Sequence, residues 1–290
     1  MAKFIKRQDL AIISAAVLWG CISLFTRPMQ ENGFSSPMIV AVRAVTTTVV
    51  MFFVILIKDR SLLKIRLKDL WMFLGTGIAS FLFFNVCYMS SIGENSVSVA
   101  CMLMYTSPIW VTLFSELLFK EKLTVGKLLA LLICIISCAV LCLSSSLRLS
   151  SIGLVYGLLS GLGYGLYSIF SIYALKKYSF WTATFYAFCF SALSLIPFCD
   201  WGTVVSATVT NGSTALLFLG LSFIITVLPY IIYTCGLKKV PPSEASVIAC
   251  VEPVVATLVG VLIYGQTLGI LGALGMTLVL VAVMILSYKK

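Results

Sequence analysis

Two ionisable side chains stand inside long apolar stretches of this chain: Arg43 in PMIVAVRAVTTTVVMFFVILI and Glu252 in VIACVEPVVATLVGVLIY. A charge in such surroundings is costly unless it faces a partner or a water-filled cavity, so these two are the first candidates for binding chemistry. Arg43 lies six residues past the outer start of its segment, roughly 9 Å deep at the rise of a helix. Glu252 lies ten residues in from the opposite, cytoplasmic end, roughly 15 Å deep and so near the middle of a bilayer. Ala245, Ala249 and Ala256 share its helix face and leave room beside the carboxylate. Together the pair could hold the carboxylate and the ammonium of an amino-acid-like solute. Glu252 could instead take up a coupling proton, or simply bond to neighbouring helices. Arg43 could snorkel to the outer headgroups or form a structural ion pair.

Polar aromatic and amide side chains surround this pair in sequence. Trp19, Asn85, Tyr88, Tyr105, Trp110, Tyr164, Tyr230 and Tyr233 fall well inside apolar segments. Aromatics that anchor a protein at the membrane interface cluster at segment ends. Central ones can line a pocket through ring faces and hydroxyls, or pack between helices. The candidate binding set is therefore Trp19, Arg43, Asn85, Tyr88, Tyr105, Tyr164, Tyr230, Tyr233 and Glu252. Pro108, Pro229 and Pro253 also lie inside segments. Each lacks the N–H that would close a helical turn, so they are candidate hinges or helix breaks.

The elements that must position these residues are membrane helices. Hydrophobic residues make up 61% of the 290-residue chain and charged residues 10%, too few to cover a water-soluble domain of this size. Ten apolar segments of spanning length can be placed, at about 9–28, 37–57, 69–91, 96–119, 124–143, 150–175, 180–199, 213–236, 242–264 and 268–288. They do not show the short alternation of a β-barrel, so the expected fold is an all-α integral membrane protein of ten transmembrane helices. The first run follows Lys3, Lys6 and Arg7 and is taken as a retained helix, because many further segments follow it.

The net charge of +10 points to the membrane rather than to nucleic acid, since the basic residues occupy short loops. With the N-terminus inside, seventeen Lys and Arg residues fall on the cytoplasmic side. Only Arg27 and Arg148 fall outside, so both termini are expected in the cytoplasm. The loops near 58–68 and 200–212 are too short for a soluble domain, and the first, with five basic residues, is expected on the lipid surface. Glu116 and Glu244 read as partners of the nearby Lys120 and Lys239.

A duplication runs through the whole chain at an offset of 145 residues. Ser98–Leu123 aligns without a gap on Ser243–Leu268, pairing Pro108 with Pro253 and Thr112 with Thr257. Trp19-Gly20 falls on Tyr164-Gly165, Tyr88 on Tyr233, Arg43 on Phe188 and Ser107 on Glu252. Each half, residues 1–145 and 146–290, carries five segments. An odd number turns the second half upside down relative to the first, and such inverted repeats enclose a midplane site in alternating-access carriers.

Ten cysteines fall mostly inside apolar segments, where they act as small hydrophobes. No histidine and no paired CxxC is present, so neither a metal site nor a cofactor is expected. Cys134, Cys138 and Cys142, four apart, read as a packing face. Gly153, Gly157, Gly161 and Gly165 form a small-residue face for close helix approach, within the monomer or in a homodimer.

The chain resembles the drug/metabolite transporter superfamily, in its EamA-type branch of ten-helix carriers. Trp19-Gly20, Arg43, Tyr105-Thr106-Ser107-Pro108 running to Lys120-Glu121-Lys122-Leu123, and Glu252-Pro253 running to Gly265-Gln266-Thr267-Leu268 carry the resemblance, which covers the full length. The family pattern closes both stretches with Gly-Glu, and here each copy keeps only one of the two residues. The resemblance implies a secondary transporter of small metabolites in the plasma membrane, working by alternating access. Efflux of amino-acid-like or amine solutes, with or without a coupling proton, is the expectation; a flippase for a lipid-linked or amphiphilic substrate is the alternative. An enzyme is disfavoured by the lack of His, of HExxH and of paired intramembrane aspartates. A channel would show a ring of charges rather than an internal duplication. No GxxxxGK[ST] motif supports a nucleotide-driven pump.

Overall fold

The computed structural model describes residues 7–95, 97–142, 150–265, 267 and 269–288. Helices dominate, and no strand occurs among the described residues. Eight helical stretches are long and apolar enough to cross a membrane: α1 (Asp9–Glu31), α2 (Ser36–Lys58), α3 (Leu67–Glu94), α4 (Val99–Phe119), α6 (Ser151–Leu175), α7 (Phe180–Phe198), α8 (Gly212–Gly236) and α9 (Pro242–Tyr264). Two further apolar helices, α5 (Val125–Cys142) and α10 (Ile270–Tyr288), occupy the remaining expected segments. The chain is a multi-pass membrane protein.

Lipid-facing positions carry Leu, Ile, Val and Phe, including Leu117, Leu262 and Phe198. Apolar burial cannot separate inside from outside when lipid is the solvent, so close packing does that work. At Gly161 on α6 a Cβ would lie 2.5 Å from Thr106 Oγ1 and 2.8 Å from the Leu103 carbonyl oxygen. The glycine face of α6 is thus spent inside the monomer, against α3 and α4.

Helix pairings recur at the 145-residue offset. The α3–α6 packing matches α1–α8, α4–α6 matches α9–α1, and α2–α7, α4–α9 and α5–α10 match themselves. Individual contacts follow the same register. Thr46 and Ser222 hydroxyls bond across α2 and α8. Their equivalents, Ser191 and Gly77, bond across α7 and α3, with Ser191 Oγ donating to the Gly77 carbonyl at 3.0 Å.

Irregular backbone recurs too. α4 breaks at Tyr105–Thr106, where Tyr105 N–H still reaches Cys101 O but Thr106 N–H turns to Leu103 O. α9 breaks at Cys250, whose N–H turns to Val247 O. In α3 the turns widen to the π form over Gly75–Leu82, with Phe83 N–H bonding to Ile78 O. In α8 they widen over Phe223–Val227, with Leu228 N–H bonding to Phe223 O. Pro108, Pro253 and Pro229 each follow one of these irregular stretches. Pro229 alone is not their cause, because its equivalent in α3 is Phe84.

Two details differ from the sequence expectation. The 200–212 connection holds a helix, Trp201–Thr210, capped by Asp200, whose Oδ1 accepts from Gly202 and Thr203 N–H. The Thr203 hydroxyl, then the backbone N–H groups, hold the Asp200 carboxyl below its ordinary range. The 58–68 connection holds two short turns, with Asp59 capping the first through Ser61. Of the cysteine trio, Cys134 is buried in α5, and the side chains of Cys138 and Cys142 lie outside the described residues. So do Lys3, Lys6, Arg148, Gln266, Leu268, Lys289 and Lys290.

α4 ends on Lys120 in the left-handed conformation, φ 53°, while its equivalent Gly265 ends α9 at φ 63°. A side chain is strained there by about 1 kcal/mol and glycine is not. Lys120→Gly is therefore expected to raise the melting temperature by a few degrees in a thermal unfolding assay.

Candidate solute-binding cavity

Helices α1, α3, α6 and α8 meet around one cavity, with the π-turns of α3 and α8 beside it. It is lined by Trp19, Ser80, Phe81, Phe84, Tyr164, Tyr167, Ser168, Tyr230 and Tyr233, so both halves of the chain contribute. Its volume of about 30 Å³ is close to one water molecule's share of the liquid. Anything of amino-acid size needs the walls to part.

The walls are ring faces set edge-on to one another. Tyr230 lies 5.0 Å from Trp19, 5.1 Å from Tyr167 and 4.8 Å from Phe188, centroid to centroid. Two of the hydroxyls are anchored by neighbouring helices: Tyr233 pairs with Ser168 Oγ at 2.8 Å and Tyr167 with Thr234 Oγ1 at 3.0 Å. Trp19 differs. It is 8% exposed, and its indole N–H is buried without a hydrogen-bond partner among the described residues. An unpaired buried donor is costly.

The two charged residues flank this cage. Tyr164, a cavity residue, donates from its hydroxyl to Glu252 Oε2 at 2.9 Å. Glu252 follows the α9 break, and α1 presses against that point. A Cβ on Gly20 would lie 2.7 Å from the Glu252 carbonyl oxygen and 2.6 Å from Val255 Cβ. Gly20 is thus the residue that lets the Trp19 turn approach Glu252. Arg43 is buried on α2, donating through Nε to Thr226 Oγ1 at 2.7 Å. Its guanidinium carbon lies 5.5 Å from the Phe81 ring and 5.9 Å from the Tyr230 ring, both cavity walls. These are cation–π distances, so Arg43 is held inward rather than snorkelling outward.

Of the sequence candidates, Trp19, Tyr164, Tyr230 and Tyr233 line the cavity, and Arg43 and Glu252 each bond to or stack on its walls. Asn85, Tyr88 and Tyr105 do not line it. The Asn85 amide donates to Phe81 O in its own helix at 2.7 Å. The Tyr88 hydroxyl pairs with Cys101 Sγ at 2.8 Å, and its ring stacks on Phe84, one layer behind the wall. Tyr105 is buried at the α4 break. Trp110 packs beside Gly165 instead. Phe81, Phe84, Tyr167, Ser168 and Thr226 were not among the sequence candidates. Tyr167 and Ser168 stand three and four residues beyond Tyr164, a helical spacing that marks them as one face.

A second polar cluster joins the halves where α4 gives way to α5. Glu121, just past Lys120, accepts from Lys127 Nζ at 2.6 Å and from the Ser243 hydroxyl at the start of α9. Lys127 Nζ also lies 3.3 Å from Glu244 Oε1. Glu244, read in the sequence as a partner of Lys239, thus has Lys127 as an ion-pair partner across α5 and α9. Glu116 is exposed, and its carbonyl accepts from Lys120 N–H.

A duplicated helical membrane protein with a cavity lined from both halves has the architecture of a solute carrier, and the chain belongs to the EamA-like transporter family, which it matches over residues 6–143 and 151–288. It is 31% identical to an uncharacterized transporter of Archaeoglobus fulgidus over 96% of this chain and 95% of that one. It is 25% identical to the uncharacterized inner membrane transporter YicL of Salmonella typhimurium, over 97% and 95% of the two chains. A solved structure with 18% identity superposes with a TM-score of 0.79 over 96% of this chain and 95% of the other, a likeness of fold. The protein is a membrane transporter of small solutes.

Two substitutions test this geometry. Gly20→Val must push α1 from α9 and is expected to lower the melting temperature by several degrees. Lys127→Met leaves two carboxylates facing each other without their cation and should lower it as well. Lys127→Arg, which keeps the charge, should not.

Proposed function

We propose that this chain is a secondary, non-ATP transporter that exports small amino-acid-like or amine metabolites across the plasma membrane by alternating access. In this reading ten helices cross the bilayer as two inverted five-helix repeats, residues 1–145 and 146–290, with both termini in the cytoplasm. The 145-residue register of helix pairings and of the π-turns supports the repeats, and the sorting of Lys and Arg supports the orientation. Pro108, Pro229 and Pro253 act as hinges beside the irregular stretches. The Glu121–Lys127–Glu244 cluster closes the cytoplasmic end and must open on each cycle.

The observation that carries the solute class is the cage itself: ring faces and an unpaired indole N–H, with Glu252 held at one wall through Tyr164 and Arg43 against two others. A cation settles against ring faces and a carboxylate, and an anion against a guanidinium. Glu252 can also carry a coupling proton, since it is the intramembrane carboxylate nearest the cage by its bond to Tyr164. One chain supplies every wall, so the site needs no second copy.

One feature favours the alternative of a lipid-linked or amphiphilic substrate. Ile78, Ala79, Leu82, Phe83, Val86 and Leu166 line an open apolar groove of about 470 Å³ between α3 and α6. It runs along the lipid-side face of the same π-turn whose inner face forms the cage wall.

Thermal unfolding against a panel of amino acids, amines, nucleobases, sugars and lipids separates the two. At least one amino acid or amine should raise the melting temperature of wild type, and fail to do so for folded Glu252→Gln or Arg43→Gln. Stabilisation that survives both substitutions would place binding on the aromatic walls alone. A response to lipid with none to soluble solutes would favour the flippase.

A further inference from the structure

The Arg43 guanidinium uses one of its donors on the protein. Nε binds Thr226 Oγ1, and the terminal amino groups make no hydrogen bond among the described residues. The rings of Phe81 and Tyr230, 6.4 Å apart centroid to centroid, both lie within cation–π distance on one side of the group. A planar cation tethered at Nε and flanked by rings on one side keeps its terminal amino groups for a ligand, and such groups can meet a carboxylate with two parallel bonds.

Thr226 is suited to the tether by the π-turn that carries it. Its hydroxyl donates to Leu221 O at 2.9 Å, five residues back, a reach opened by the widened turn. A hydroxyl has one proton and two lone pairs, so with the proton committed it can only accept from Arg43. The other half of the chain offers the comparison. The residues 145 positions from Arg43 and Thr226 are Phe188 and Phe81, and they also touch, with centroids 5.1 Å apart. One contact of the duplicated scaffold is therefore aromatic on both sides, and its counterpart is polar on both sides.

We infer that Thr226 is a positioning residue: through its bond to Nε it aims the free edge of Arg43 at the carboxylate of the solute and so sets the preference for amino acids over amines. This rests on the solute class proposed above and narrows it to carboxylate-bearing members.

The test uses purified full-length protein and pairs of probes that differ only in the carboxyl group: L-phenylalanine with phenethylamine, and L-leucine with isoamylamine. Binding is followed by calorimetry, and transport in proteoliposomes gives KM and kcat. Wild type should prefer the acid of at least one pair by roughly tenfold or more, as expected for charge-assisted bonds. Thr226→Val should lower acid affinity by roughly tenfold, through KM rather than kcat, and leave the amine within about threefold. Thr226→Ser should restore wild-type preference. Arg43→Lys, which keeps the charge and loses the fork, should erase the preference, and it decides the matter if Thr226→Val does not fold. Wild-type preference retained in Thr226→Val, or in Arg43→Lys, overturns the inference while leaving the solute class intact. Failure of wild type to bind either member of both pairs overturns the solute class and the inference with it.

Discussion

A backbone carbonyl or N–H set loose in lipid has no water to bond, and this constraint governs where the protein can be irregular. The breaks in α4 and α9 and the π-turns in α3 and α8 all leave backbone groups out of the regular ladder. Each is placed facing other helices. Thr106 Oγ1 takes the Leu103 carbonyl at the α4 break, Ser191 and Ser80 take carbonyls of Gly77 and Gly163 beside the α3 π-turn, and Thr226 takes the Leu221 carbonyl in α8. Part of the buried hydroxyl set thus answers loosened helices in an apolar solvent, beside others that bond within regular helix. The cavity lies beside the two π-turns.

The duplicated scaffold keeps its backbone devices and changes its side chains. Left-handed helix ends, π-turns and broken helices sit at matching positions, whereas Arg43, Glu252 and Trp19 have Phe188, Ser107 and Tyr164 as counterparts. Backbone geometry is bound by the packing of both halves at once and cannot drift in one alone. Side chains at the cavity differ between the halves, so the chemistry there is asymmetric inside a frame that is nearly symmetric.

Much of this was legible in the sequence because membrane helices announce themselves by length and apolarity, and because a gapless offset needs no structure to be seen. Trp19, Tyr164, Tyr230 and Tyr233 stood out as polar rings in mid-segment. Phe81 and Phe84 did not, because a phenylalanine reads the same whether it faces lipid, another helix or a cavity. Asn85 and Tyr88 show the converse, since both are polar groups in mid-segment and neither lines the cavity. A polar group in mid-helix can bond within its own helix or to its neighbour, as Asn85 does to Phe81 O, and never reach the site. The π-turn in α3 had no proline to mark it. Thr226 gave no signal at all, since a threonine in an apolar run is ordinary until its partner across 183 residues is known.

The buried cluster of Glu121, Lys127 and Glu244 has no charged equivalent elsewhere in the duplication. The residues at the matching offset are Gln266, Gly272 and Val99. At the opposite end α1 and α9 are joined instead by Tyr264, whose hydroxyl bonds Ser23 O at 2.9 Å and whose ring lies under Arg27 at 4.2 Å. The two ends are therefore fastened by forces with different temperature dependence. The desolvation penalty of buried ions falls on heating, and one end carries three ionisable groups in contact where the other carries a hydroxyl bond and a single cation over a ring. Heat and salt therefore act unequally on the two ends of the frame built by α1, α4, α5 and α9, and the end held by the ion triad is the one that warming favours.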